Sequence, residues 1–209
     1  MTGDDAMTGF RCVAEPEVVL AFLRGEIDSD RFGHRVRQAL VDAGGVELVR
    51  NPDLHSAAEN RARERALAAA RGWRDAELFE GFPEKVDWYH GILPPDVLSR
   101  VRFIDYSYWN ELSGGSRRPV DVLPTLRSGK LPSWLTELGT DWCHRFAAQL
   151  ATAEAVDDLI VMATPNLDEL VLLEGHARLT AVFVGGLQRR LVIRAYLGLS
   201  PTINRWGCF

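Results

Sequence analysis

Helical patterning runs to about Leu150 and strand patterning begins only after Asp157, and this late switch of periodicity narrows the fold class sharply. Glu15 to Arg24 puts Val18, Val19, Phe22 and Leu23 on one side of a short amphipathic helix, with Gly25 placed to cap it. Asp28-Ser29-Asp30 caps a second helix to about Ala43, with Phe32, Val36 and Leu40 at four-residue spacing. Ser56 to Arg71 reads as an alanine-rich helix with one solvated face, where Arg61, Arg63 and Arg65 mix with Glu59 and Glu64. Pro94-Pro95-Asp96 opens a short helix to about Arg102, and Val120 to Arg127 forms another, stopped by Gly129. Ser133 caps a longer helix through Leu150, with Leu135, Leu138, Trp142, Phe146 and Leu150 on its buried stripe.

The strand signals are short apolar runs, Leu159 to Met162 and Leu170 to Leu173, separated by Pro165-Asn166 as in a hairpin or an adjacent pair. A helix from about Ala177 to Leu187 and a strand from Leu191 to Leu197 follow. The expectation is one α+β unit: a helical N-terminal extension over residues 1–95, then a small mixed sheet with helices over 96–209. Residues 1–14 carry no periodic pattern and are expected to be loose.

A chain of 209 residues is long enough for one sizeable core. The net charge of −5 argues against broad, sequence-independent nucleic-acid binding, which needs clustered Lys and Arg to displace counterions. No window approaches the ~20 apolar residues of a membrane span, and no segment has the layout of a signal peptide. Cys12, Cys143 and Cys208 form no CxxC pair or Cys/His cluster, which disfavours structural zinc and fits a reducing cytosol. A cytoplasmic protein without a membrane partner is expected, and a homodimer is compatible with the sequence.

The segment richest in chemistry is Leu170 to Ala181, where an apolar strand stops at Glu174-Gly175 and a small-residue helix begins. Such a junction directs backbone N–H groups at the positive end of a helix dipole, which suits an anion. Gly175 lets the backbone come close to a ligand. His176 can donate to a phosphate or shuttle a proton, and Arg178 can hold phosphate oxygens bidentately. Glu174 can hold a magnesium ion or accept a proton from a substrate hydroxyl. The plainer alternative pairs Glu174 with Arg178 and makes His176 a satisfied, partly buried polar residue.

Two further stretches carry candidates. Ser113-Gly-Gly-Ser116-Arg117-Arg118 precedes a helix and offers Ser116 and Arg117 as a second phosphate clamp, or else an exposed loop in which Ser116 caps the helix. Asp105-Tyr106-Ser107-Tyr108-Trp109-Asn110-Glu111 interleaves rings with carboxylates. Asp105, Tyr108 and Trp109 there are candidates for a substrate pocket, with core packing the default for the rings.

The acid–glycine pair, the His176-x-Arg178-Leu-x-Ala run and the strand that follows resemble the ParB/sulfiredoxin superfamily. Members of that superfamily carry a Gly-Glu-Arg-Arg, Gly-Cys-His-Arg or Asp-Gly-His-His-Arg motif at this place and bind nucleotide phosphates there. The likeness covers roughly the final quarter of the chain. No cysteine stands between Gly175 and His176, so sulfiredoxin chemistry is not implied, and no helix-turn-helix follows as in a chromosome-partitioning protein. The form here is similar to the ParB-like kinases of free amino acids, with Glu174 in place of their aspartate. The resemblance implies a ParB/sulfiredoxin-like fold, and ATP or another nucleoside triphosphate with Mg2+. It also implies phosphoryl transfer to, or hydrolysis near, a small-molecule substrate, as in a kinase or nucleotide hydrolase. In that scheme Glu174 and His176 are catalytic, Gly175, Arg178, Ser116 and Arg117 bind phosphate, and Glu174 is the metal ligand. The alternatives are a non-catalytic nucleotide-sensing or protein-interaction module and, least in keeping with the charge, a DNA-associated relative.

Overall fold

The computed structural model describes residues 7, 9–75 and 77–209, leaving aside the side chains of Leu138 and Asp157. Its centre is a six-stranded mixed sheet in the order β1-β2-β6-β4-β5-β3. The strands are β1 (Arg11–Val13), β2 (Asp87–Ile92), β3 (Arg102–Phe103), β4 (Ala155–Ala163), β5 (Leu170–Glu174) and β6 (Val192–Leu199). β4 runs antiparallel to β5 and parallel to β6, so the two apolar runs either side of Pro165-Asn166 are neighbours, as their spacing suggests. β2 and β1 extend the sheet antiparallel beyond β6, and β3 adds a parallel edge to β5.

Helices cover both faces, which is why β4 and β5 read as continuous rather than alternating apolar runs. On one face lie α1 (Glu15–Ile27), α2 (Gly33–Ala43), α3 (Glu47–Arg50) and α4 (Ala57–Arg71). They pack Val18, Val19, Phe22, Leu23, Leu40 and Leu67 against Ile160, Met162, Val171 and Leu173. The other face carries α5 (Pro95–Leu98), α6 (Ser107–Leu112), α7 (Val122–Ser128), α8 (Ser133–Leu138), α9 (Asp141–Leu150) and α10 (His176–Val184). Here Leu98, Leu112, Val122, Leu135, Leu179 and Val182 meet Leu159, Val161, Leu170, Leu172 and Ile193. Neighbouring residues of one strand thus feed opposite cores, as a period of two requires.

Several elements differ from their expected form. The first 95 residues are not helical throughout. They supply β1 and β2, of which β1 arises within a stretch expected to be loose and whose residues 1–6 and 8 lie outside the described ones. Gly25 does not cap α1: the helix continues to Ile27, and Gly25 sits where another chain segment comes very close. α2 begins at Gly33 rather than at Asp30, because Ser29 accepts the Phe32 N–H at 2.9 Å in the preceding turn. Arg63 belongs to no solvated face. Its guanidinium is fully buried and donates to the Leu48 carbonyl at 2.9 Å and the Asp53 carbonyl at 3.0 Å, tying the α3–α4 connection to α4. The helix expected over 133–150 is broken at Gly139, whose φ of +77° lies in the left-handed region. Leu138, expected on its stripe, has its side chain outside the described set.

Candidate functional site

β5 delivers Glu174 to the end of the sheet, and Gly175 turns the chain into α10 with φ +97°. A Cβ on Gly175 would stand 2.4 Å from Leu159 Cδ2, so glycine is required both by the dihedral and by the packing beneath it. The junction is buried rather than open. Glu174 is 8% exposed, and its carboxylate accepts from Arg178, one turn along α10, and from the Gly175 N–H. Burial pushes the Glu174 carboxyl up to about 7; Arg178 opposes this, the neighbouring Glu26 adds to it, and Arg71 opposes it again.

Glu26 on α1 and Arg71 at the end of α4 form a second ion pair behind the first, with Arg71 Nε 3.1 Å from Glu26 Oε1. The Arg71 guanidinium also lies 3.6 Å from the centroid of the Phe32 ring. Two carboxylates and two guanidiniums therefore meet where α1, α4, β5 and α10 join. A charge group of this kind is stable only because each member has an opposite neighbour.

His176, next to this group, packs among rings. It stacks on Trp109 at 4.9 Å and 23°, and on Phe103 at 5.8 Å and 24°. Its Nε2 is buried and finds no hydrogen-bond partner among the described residues. Burial first, then the charges of Arg71 and Arg178, hold the imidazole down at about 3, so it is neutral near pH 7. A proton shuttle at neutral pH, the role expected of it, does not suit that environment.

The structure brings Trp109 and Tyr108 to His176, although they are far from it in sequence. The two rings touch edge to face at 4.8 Å, and Tyr108 Oη accepts from Trp142 Nε1 at 3.1 Å. Burial raises the Tyr108 hydroxyl above its ordinary range. Asp105 is exposed and accepts from Asn110 Nδ2 at 2.8 Å. Arg117 is not placed as a phosphate clamp. It donates to the carbonyls of Phe103 at 2.9 Å, Phe209 at 2.9 Å and Cys208 at 3.2 Å, with Asp105 3.7 Å away, so its fork fastens the last residues to β3. Ser116 likewise serves its own loop, donating to the Ser113 carbonyl at 3.0 Å and accepting the Arg118 N–H at 3.1 Å.

Of the expected motif, Arg178 lines an open cleft that Glu174, Gly175 and His176 do not. This space, about 410 Å³, lies between α1 and the sheet. Glu17, Leu20, Ala21, Arg24 and Gly25 line it from α1, Asp158, Arg194 and Tyr196 from β4 and β6, and Leu54 from the α3–α4 connection. Both carboxylates of the lining are engaged: Glu17 Oε2 with Arg11 at 2.7 Å, and Asp158 Oδ1 with His90 Nε2 at 2.8 Å. The His90 ring lies 4.5 Å from Tyr196, whose hydroxyl is pushed up to about 12 by burial and then by the Asp158 charge. Among the described residues Arg24 donates only to the Val49 carbonyl, at 3.3 and 3.4 Å, and Arg194 is exposed. Three guanidiniums and a protonated phenol thus border one space, and a binding pocket of this size class suits a metabolite.

No group of three or more potential metal ligands exists among the described residues. Glu174 does not fit the magnesium role: its carboxylate is buried, takes a guanidinium and a backbone N–H, and lies beside Arg71. Sequence reasoning missed Arg24, Asp158, Arg194 and Tyr196. The signal available was the pair Arg194 and Tyr196 at i and i+2 in an otherwise apolar strand, a polar stripe on a single face. Among the described residues no helix is long and apolar enough to cross a membrane. No protein-family model, curated protein or solved structure matches this chain.

Proposed function

We propose that the protein binds a phosphorylated metabolite or nucleotide phosphate in the cleft between α1 and the sheet, and that phosphoryl transfer or hydrolysis is the chemistry served there. The observation that carries this reading is the placement of Arg24, Arg178 and Arg194 around one cleft in a chain of net charge −5. Guanidinium forks match phosphate oxygens and fix their orientation. The Tyr196 hydroxyl, protonated at neutral pH, is a further donor. Partial occupation of Arg178 by Glu174 keeps that guanidinium in place before a ligand arrives. The ParB/sulfiredoxin-like fold and kinase-type activity rest on the resemblance of the Glu174-Gly175-His176-x-Arg178 run, and on the β5–α10–β6 order around it. ATP supplies a phosphoryl group in this scheme. A magnesium ion, if used, is held by the nucleotide's phosphates rather than by Glu174. Three free cysteines accord with a cytoplasmic setting.

A non-catalytic, ligand-sensing role has one observation of its own: neither Glu174 nor His176 lines the cleft, so no general base of the expected motif faces the ligand. Calorimetric titration with sulfate, phosphate and ATP with magnesium tests the shared part of both readings. Binding is expected, and Arg194→Gln should weaken it about tenfold, the worth of one hydrogen-bonded charge. Absence of binding by all three anions would overturn the proposal. Nucleotide turnover with pooled metabolites then separates enzyme from sensor.

A further inference from the structure

The sheet face that emerges from beneath α1 carries more than charge. Val192, Arg194 and Tyr196 alternate along β6 and so share the face that α1 covers. Tyr196 is 8% exposed beneath the helix layer, whereas Arg194 and Val192 lie where the cover ends. Ile92 on β2 pairs directly with Arg194, and Ala155 on β4 pairs with Val192. Paired residues point to the same side of a sheet, about 5 Å apart at Cβ. Arg194 is therefore flanked on this face by two apolar residues, Val192 along its own strand and Ile92 across on β2, with the β4 bulge at Asp158 on its other side.

These side chains are left in water. Ile92 is 57% exposed and Val192 39%, while Ile193, Ala195 and Leu197 on the opposite face of β6 are buried. A scattered exposed aliphatic side chain is ordinary. Among the described residues only six large apolar side chains are exposed, however, and two of the six flank this one arginine of the cleft. The core does not require Ile92 or Val192, because neither is packed in it. A bare inorganic anion would satisfy the cleft's arginines and leave this shelf wet.

We propose that the natural ligand is amphipathic: an oxyanion head held among Arg24, Arg178 and Arg194, with an apolar substituent that leaves the cleft across Ile92 and Val192. The inference rests on the cleft being the binding site proposed above, and it adds the ligand's class. Charge complementarity fixes the head, and continuity of the shelf with Arg194 fixes the direction of the tail. Each methylene withdrawn from water on that shelf should raise affinity by up to about fourfold.

Calorimetric titration with inorganic sulfate, methyl sulfate, n-propyl sulfate and n-butyl sulfate, all well below self-association, tests this. The three esters carry the same single charge, so a trend among them reports the tail alone. Affinity is expected to rise at least tenfold from methyl to butyl sulfate in the unaltered protein. The Ile92→Ser, Val192→Ser double variant should lose that rise and retain its affinity for inorganic sulfate. Methyl resonances of Ile92 and Val192 in the unaltered protein should shift with butyl sulfate and not with methyl sulfate, a readout that does not depend on the variant's folding. If none of the anions binds, the cleft reading itself falls, and the ligand class with it. If sulfate binds and chain length changes nothing, the cleft stands and the amphipathic ligand is overturned. A chain-length gain that survives in the double variant, without methyl shifts, overturns the placement of the tail.

Discussion

Glu174 and His176 are separated by one residue, yet burial drives their protonation in opposite senses. The Glu174 carboxyl moves from an ordinary 4.5 up to about 7, so between these values the folded chain holds a proton that the unfolded chain releases. Its contribution to stability is complete below 4.5 and is lost as pH rises through about 7. The His176 imidazole moves from 6.5 down to about 3, so in its window the unfolded chain binds the proton. Its contribution is complete above 6.5 and is lost as pH falls below that value. Between pH 4.5 and 6.5 the two slopes, each at most about 1.4 kcal/mol per pH unit, oppose one another. Urea unfolding of the unaltered chain should show little net slope from this pair across that window. His176→Phe, which keeps the stack on Trp109, should lose stability from pH 5 to 6.5, and Glu174→Gln should gain it. Parallel profiles for the two variants would refute the opposed burial of the pair.

At the scale of elements, two glycines decide how α1, β5 and α10 meet. A Cβ on Gly25 would stand 2.9 Å from Arg178 Nη2 and 3.1 Å from Glu174 Oε2. The obstructed atom is the end of a flexible side chain, and alanine favours the helix by about 1 kcal/mol, so Gly25→Ala should unfold within about 1 kcal/mol of the unaltered chain. It should nevertheless weaken sulfate binding roughly tenfold, because Arg178 and Glu174 shift together away from the added methyl and the guanidinium leaves its register with the cleft. Gly175→Ala meets the rigid Leu159 side chain with a left-handed φ, and should cost roughly 2–5 kcal/mol in urea unfolding.

How far each element could be read from sequence follows the range of the interactions that form it. The Glu174–Arg178 pair joins residues four apart across the strand-to-helix turn and was legible as the plainer alternative for that run. The β4–β5 pairing was legible because a short Pro-Asn turn joins two apolar runs. Gly25 was misread as a cap because the segment that demands it arrives from residues 174–178. The stack of His176 on Trp109 and the clamp of Arg117 on Cys208 and Phe209 are long-range contacts with no local periodicity. The cleft was invisible for the same reason, since its arginines come from α1, β6 and α10.

For the molecule as a whole, the two helical layers are not separable additions to one sheet. The layer from α1 to α4 covers Ile160, Met162, Val171, Leu173 and Tyr196, which face the opposite side from Leu159, Val161, Leu170, Leu172 and Leu197. Residues 1–95 also supply β1 and β2, so without them β6 becomes an edge strand with its N–H and C=O groups unpaired. A fragment spanning 96–209 keeps the motif around Gly175 and its own helical layer, but exposes one whole face of β4, β5 and β6 to water. Exposed apolar faces and bare edges of this kind promote association rather than folding. The fragment should therefore give a poorly dispersed amide spectrum, or aggregate, where the full chain gives a dispersed one. It should also fail to bind sulfate, since Arg24 and the wall of α1 are gone. A cooperative urea transition for the isolated 96–209 fragment would show instead that the second layer and the sheet carry their own stability. The anion site would then be an interface added to an independent unit.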